Sequence, residues 1–372
     1  MQPTQDYAPR RGSRHHHAVV TAPEGPTARE SKDPSTGVQS GLGSAHGKAI
    51  LIGEHAVVYG APAIALPLLD LQATASVRDS RRGYLTTDLY TGPLNDAPKD
   101  MGPIVTALRA SAEKLDVRAE RLDVILRSTI PFERGLGSSA ATAAAVVRAV
   151  ANHAGVRLSP AEAHELVQTA ETVAHGTSSG LDAHAVQSLA PLRFQQGKPT
   201  TVQVGAGLTF VIGDTGTVGS TAAAVGGTRM LRDIQPAVVD RVMEDLADLT
   251  DDVAVALGDG DAVRVGRNMH EAHTLLAYLG VSAPALDALV AAALEAGAYG
   301  AKLTGSGLGG CVLALVPDQE LAGKVAAAMT AVGATRVWTT SLTPNTTDNQ
   351  TAPTARIAPS SAPTPSSAQE DR

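Results

Sequence analysis

From Leu122 to Ile130, apolar Leu122, Val124, Leu126 and Ile130 alternate with Asp123, Arg127 and Thr129, the two-residue period of a half-buried strand. Ala140 to Val150 is then a run dominated by Ala and Val, without glycine or proline, and predicts a well-buried helix within 138–153. A helical period is also expected over 100–115 and over 160–174. The latter opens on Ser159-Pro160-Ala161-Glu162, a capping box with proline at the first helical position, and carries an apolar stripe of Leu166, Ala170 and Val173. His175-Gly176 should end it. Near the front, Lys48 to Gly53 reads as a short apolar strand. Past about residue 205 the pattern gives a strand at Thr209–Gly213, helices at 236–257, 261–279 and 284–296, and a strand at Val312–Val316.

Residues 1–43 and 342–372 lack any such period and are rich in Pro, Thr and Ser, so both are expected to be disordered tails. His15, His16 and His17 fall in the first. A histidine triplet on a flexible arm binds a transition metal weakly at best, and the plainer expectation is that it is solvated. The 44–205 and 206–341 segments are read as two domains, in line with a 372-residue chain that is 43% hydrophobic. A net charge of -7 and 3% aromatic residues argue against nucleic acid as a partner. The single cysteine, Cys311, excludes an internal disulfide and suits a reducing cytoplasm. No apolar run approaches the ~18 residues that span a bilayer, so no membrane segment is expected.

The loop Pro131-Phe132-Glu133-Arg134-Gly135-Leu136-Gly137-Ser138-Ser139-Ala140 joins the strand to the helix start. Unpartnered N–H groups and a positive dipole end favour phosphate there, and the glycines at 135 and 137 allow close approach. Ser138 and Ser139 can cap the helix or reach a phosphate oxygen or its metal. A serine-capped turn is the plain alternative, but the length and the strand-to-helix setting favour the phosphate cradle. The loop is not a Walker A, and the nearest approach to one, ending at Gly47-Lys48, has Leu42 in place of its first glycine and Ala49 in place of Ser or Thr.

Glu54 and His55 follow a strand-end glycine, a setting that projects polar groups into a cleft and equally makes a turn. Glu171 lies in the last turn of its helix, where the dipole disfavours a carboxylate by about 0.3–1 kcal/mol; solvent or a bound cation would offset this. Asp182 is either a helix cap or a carboxylate on the floor of a glycine-lined pocket. His270-Glu-Ala-His273 is one residue short of zinc-protease spacing, so one histidine should pack and the other face water. A second glycine-rich loop, Thr304-Gly305-Ser306-Gly307-Leu308-Gly309-Gly310, should approach another part of the molecule closely.

Three of these stretches together resemble the signature motifs of the GHMP kinase superfamily, which includes galactokinases, homoserine kinases, mevalonate kinases and phosphomevalonate kinases. Gly53-Glu-His-Ala-Val-Val-Tyr-Gly60 and Met269 to Val281 are most similar to the mevalonate kinase branch. Two departures stand out: Glu133 where the family loop usually has glycine, and His175-Gly-Thr-Ser178-Ser-Gly without the family's proline.

The resemblance implies an α+β, two-domain fold, with a ribosomal S5 domain 2-like N-terminal domain and a ferredoxin-like C-terminal domain. It also implies transfer of a phosphoryl group from ATP to the C5 hydroxyl of mevalonate, on the route to isoprenoids. Carried over, Arg134 to Ala140 wrap the nucleotide phosphates, Ser139 and Glu171 hold Mg²⁺, Asp182 is the base and Lys48 its cationic neighbour. Glu54 and His55 line the mevalonate pocket, and Thr304, Gly305, Ser306 and Gly307 close near the phosphates. A homodimer is compatible with the resemblance. The competing readings are a phosphomevalonate or sugar kinase, a diphosphomevalonate decarboxylase, and a ligand sensor on the same fold.

Overall fold

A computed structural model describes residues 40–175 and 179–345. The histidine triplet at 15–17, residues 176–178 and the chain beyond 345 lie outside the described residues. The rest carries two β-sheets with helices packed on them.

The first sheet is built on a long antiparallel pair, β1 (Ser40–Ile52) and β2 (Ala63–Asp79), paired from Ser40 opposite Arg78 to Ile52 opposite Ile64 with register shifts between His46 and Gly47 and between Ile50 and Ile52. β3 (Tyr84–Thr86), β4 (Thr91–Pro93), β5 (Leu122–Ser128), β6 (Leu192–Gln195) and β7 (Lys198–Thr201) complete it in the order β4-β3-β5-β2-β6-β7, with β1 on β2. β5 buries Leu122, Val124 and Leu126, the apolar phase of the alternation.

β1 starts at Ser40, ahead of residue 44, where the composition places the start of the folded part. Its opening residues lack an apolar period because they meet a helix backbone rather than side chains. A Cβ at Gly41 would lie 2.1 Å from the Ala149 carbonyl oxygen, and one at Gly43 2.2 Å from that of Ala145.

That helix is α2 (Ser138–His153), flanked by α1 (Gly102–Lys114) and α3 (Pro160–His175). α2 is buried at nearly every position from Ala140 to Ala151, as its Ala/Val composition requires. α3 begins with the expected capping box: the Ser159 N–H donates to a Glu162 carboxylate oxygen at 2.9 Å, and the Glu162 N–H donates to the Ser159 hydroxyl at 3.3 Å. α4 (Leu181–Ala185) is a short helix.

The second sheet consists of β8 (Leu208–Asp214), β9 (Gly300–Thr304), β10 (Cys311–Val316) and β11 (Arg336–Leu342), all antiparallel in the order β11-β8-β10-β9. A strand, helices, a hairpin, a helix and a strand in the spatial order 4-1-3-2 is the ferredoxin-like arrangement. Its helices are α5 (Thr221–Ile234), α6 (Pro236–Asp259), α7 (Ala262–Tyr278), α8 (Pro284–Glu295) and α9 (Gln319–Ala331). On α7 His273 is buried and His270 is exposed, the split expected from their spacing. Among the described residues no helix is long and apolar enough to cross a membrane.

Candidate active site

The site forms where the two sheets meet, at the N-terminus of α2. Gly135 and Gly137 have φ of 78° and 73°, the left-handed region, and turn the chain from β5 into the helix. Glu133 also sits there, at φ 54°, which accounts for the glycine common at this place in the superfamily.

β1 runs beneath this loop. The Lys48 N–H donates to the Leu136 carbonyl at 3.0 Å, and the Lys48 side chain passes so close to Gly137 that a Cβ there would stand 2.8 Å from its Cγ. The Lys48 ammonium thereby reaches Asp182, Nζ to Oδ1 3.1 Å. Lys48 is 3% exposed and Asp182 32%, so the lysine is walled in while the carboxylate remains open to a ligand. α4, which carries Asp182, is held against α3 by stacked imidazoles: His184 lies over His164 with ring centroids 3.6 Å apart. Burial, with His164 beside it, pushes His184 down to about 4, so the stack is uncharged at neutral pH.

Glu171, in the last turns of α3, is buried, and not solvated as its ordinary reading would have it. Its carboxyl is pushed up to about 7, first by burial and then by the nearby charge of Asp182, against opposing effects from the Ser139 hydroxyl and Lys48. Lys48, Ser139, Glu171 and Asp182 therefore act on one another although they come from four separate elements. Two crowded carboxylates and a hydroxyl form a set of hard oxygen donors, the kind that suits Mg²⁺, which takes few protein ligands and keeps its waters. Beside Ser138 and Ser139 opens a cavity of ≈ 260 Å³ lined by Leu89, Met101, Ile104, Phe132 and Arg336 among others.

The second glycine-rich loop closes over the first. A Cβ on Gly305 would fall 2.8 Å from the Gly135 Cα, and one on Gly310 2.9 Å from the Arg134 carbonyl oxygen. Thr304 spends its hydroxyl on β1, accepting from the Ile50 N–H at 2.8 Å and donating to the Ile50 carbonyl at 3.0 Å. Ser306 offers its carbonyl to His55 Nε2–H at 2.9 Å, which fixes the imidazole tautomer, and burial holds His55 below its usual pKa. Gly305→Ala, strained at φ 91° as well as crowded, is expected to cost about 1–3 kcal/mol of stability and to raise the KM for nucleotide. Thermal melts and initial rates would check both.

Three participants escaped the sequence reading. Lys302 on β9 is fully buried and ion-paired with Glu54. Asp214, buried at the end of β8, receives Arg134 at 3.0 Å and Arg336 at 3.2 Å. The Arg134 guanidinium is thus committed to the second sheet, and also donates to the Gly216 carbonyl at 3.0 Å. A lysine on a strand and an aspartate before a turn look solvated in sequence, and no local signal marks their burial.

Family models agree with this geometry: the GHMP kinases N terminal domain matches residues 103–188 and the GHMP kinases C terminal domain residues 253–335. A mevalonate kinase of Thermococcus sibiricus is 35% identical over 301 residues, covering 75% of this chain and 90% of its own. The chain belongs to the mevalonate kinase family.

A mevalonate kinase of Pyrococcus horikoshii in that family is also 35% identical over 301 residues, with 75% of this chain and 89% of its own covered. Among solved structures, the L. major mevalonate kinase in complex with R-mevalonate superimposes with a TM-score of 0.73 at 25% identity, covering 84% of this chain and 98% of its own.

Proposed function

We infer that this protein transfers the terminal phosphoryl group of ATP to the C5 hydroxyl of mevalonate, giving 5-phosphomevalonate. The observation that carries the reading is the meeting of Lys48 and Asp182 beside a glycine-rich helix start whose first turn, at Ser139, faces the buried Glu171. The apolar cavity beside that helix start suits a nucleobase, and the backbone N–H groups of 135–139 suit its phosphates.

In this reading Asp182 accepts a hydrogen bond from the attacking hydroxyl and orients it in line with the phosphoryl group. A carboxylate is a weak base towards an alcohol, but in a loose, metaphosphate-like transition state the proton leaves late and orientation is the larger task. Lys48 pairs with Asp182 at 3.1 Å and places positive charge beside the oxygens of the group in flight. Ser139 and Glu171 would hold Mg²⁺, which when bound neutralises charge on the nucleotide phosphates. The loop 304–310, packed on Gly135, limits water at the reacting atoms and so limits hydrolysis of ATP. The buried Cys311 thiol is compatible with a cytoplasmic setting.

A coupled ADP-release assay with mevalonate, phosphomevalonate and galactose as acceptors tests this directly. Turnover is expected with mevalonate, with product phosphorus on C5 by ³¹P NMR. Faster turnover with phosphomevalonate or galactose would place the protein in another branch of the superfamily, and nucleotide binding without turnover on any acceptor would make it a sensor.

A further inference from the structure

Among the described residues two lysines are buried, and the mechanism above uses only Lys48. Lys302, fully buried on β9, places its ammonium on one oxygen of Glu54, 248 residues earlier in the chain, and donates to the Leu303 carbonyl at 2.6 Å. The second Glu54 oxygen, Oε2, is buried and has no hydrogen-bond partner among the described residues. Burial pushes the Glu54 carboxyl up and the Lys302 ammonium down, while their mutual attraction opposes both shifts. The other charged or titratable groups around the pair are few. Lys48 on β1 acts on Glu54; His55, next in the chain, and His273 on α7 both lie in the field of Lys302, and His273 contacts Asp287 of α8 at 3.2 Å.

An ion pair withdrawn wholly from water is a poor staple, because desolvation offsets most of its attraction. The sheets are in any case joined here by Thr304 on Ile50 and by Gly305 on Gly135. What the pair does settle is where Glu54 directs its charge. Glu54 sits in the field of two ammonium groups, Lys302 and Lys48, and Lys48 is the one that Asp182 requires.

We propose that Lys302 is a positioning residue for phosphoryl transfer: by neutralising Glu54 it leaves the Lys48 ammonium directed at Asp182 and the reacting phosphate. Without Lys302, Lys48 is the ammonium that still acts on the Glu54 carboxylate, which is 1% exposed and so in a low-dielectric setting. The Lys48 ammonium is then drawn towards Glu54, and its contact with Asp182 weakens. The inference rests on the proposed roles of Lys48 and Asp182.

The test is kcat, with both KM values, as a function of pH for Lys302→Met, Glu54→Gln and the double variant. Lys302→Met is expected to lower kcat by about 10²-fold near pH 8 with the KM for ATP within about threefold of the parent. The ratio of its kcat to the parent's should rise as pH falls, because burial raises the Glu54 carboxyl and a protonated Glu54 no longer competes for Lys48. Adding Glu54→Gln should raise kcat at least about tenfold over Lys302→Met and leave the ratio flat with pH. A pH-independent deficit that Glu54→Gln does not relieve, or parent-like kcat in Lys302→Met, overturns the inference. Should Lys302→Met fail to fold, Lys302→Gln keeps a donor for Glu54 without the charge and is read by the same criteria. If the parent itself shows no mevalonate-dependent ATP consumption, it is the functional reading that fails, not this one.

Discussion

Asp182→Asn is expected to lower kcat by about 10²–10⁴-fold, the range for loss of a positioned acid–base group, with nucleotide affinity close to that of the parent. The substitution is isosteric and leaves α4 and its histidine stack in place, so the loss reads chemistry and not folding. It has a second signature. Asp182 is one of the two causes that raise Glu171, so removing its charge should bring the Glu171 carboxyl back towards the usual range in the metal-free protein. A variant that kept most of its turnover would remove Asp182 from the mechanism. One that lost turnover without moving Glu171 would show the two groups to be uncoupled.

Glu171→Gln should separate stability from activity. In the metal-free protein the Glu171 carboxyl titrates at about 7 instead of 4.5, so between those values the folded state holds a proton that the unfolded chain releases. Its contribution is therefore fully present below about pH 4.5 and is lost as pH rises through about 7, amounting to about 3 kcal/mol by pH 8. Glutamine carries no charge and escapes that loss. The variant is expected to melt higher than the parent at pH 8 without metal, to converge with it near pH 5, and to need more magnesium for turnover. Equal melting temperatures at pH 8 would mean that the carboxylate is better solvated than its burial indicates.

What the sequence revealed and what it hid divide along a physical line. Local rules were enough for α2, whose composition is that of a buried helix, and for α3, whose Ser159–Glu162 box is a contact three residues apart. They were enough as well for the glycine-rich turn from β5 into α2, since such a turn is itself a local object. α5 went unannounced, because Gly226-Gly227 interrupts its period. The opening of β1 was hidden because its glycines answer to α2, about a hundred residues away in the chain. The distant charge pairs were hidden more deeply. Lys302 with Glu54, and Asp214 with Arg134 and Arg336, join parts of the chain that no window of sequence spans, and a buried lysine is spelled the same way as an exposed one. Glu171 lay between these cases: its awkward place at a helix end was visible, and its burial was not.

The meeting of Gly135 with Gly305, with no side chain between them, bears on how such enzymes could be recombined. A chimera that took the segment after residue 205 from a relative would graft a foreign loop onto a seam that has no slack. It would succeed only if the donor also supplied a bare backbone at that crossing and an acid to receive Arg134. The two halves thus have to match one another, at a handful of positions on their shared boundary.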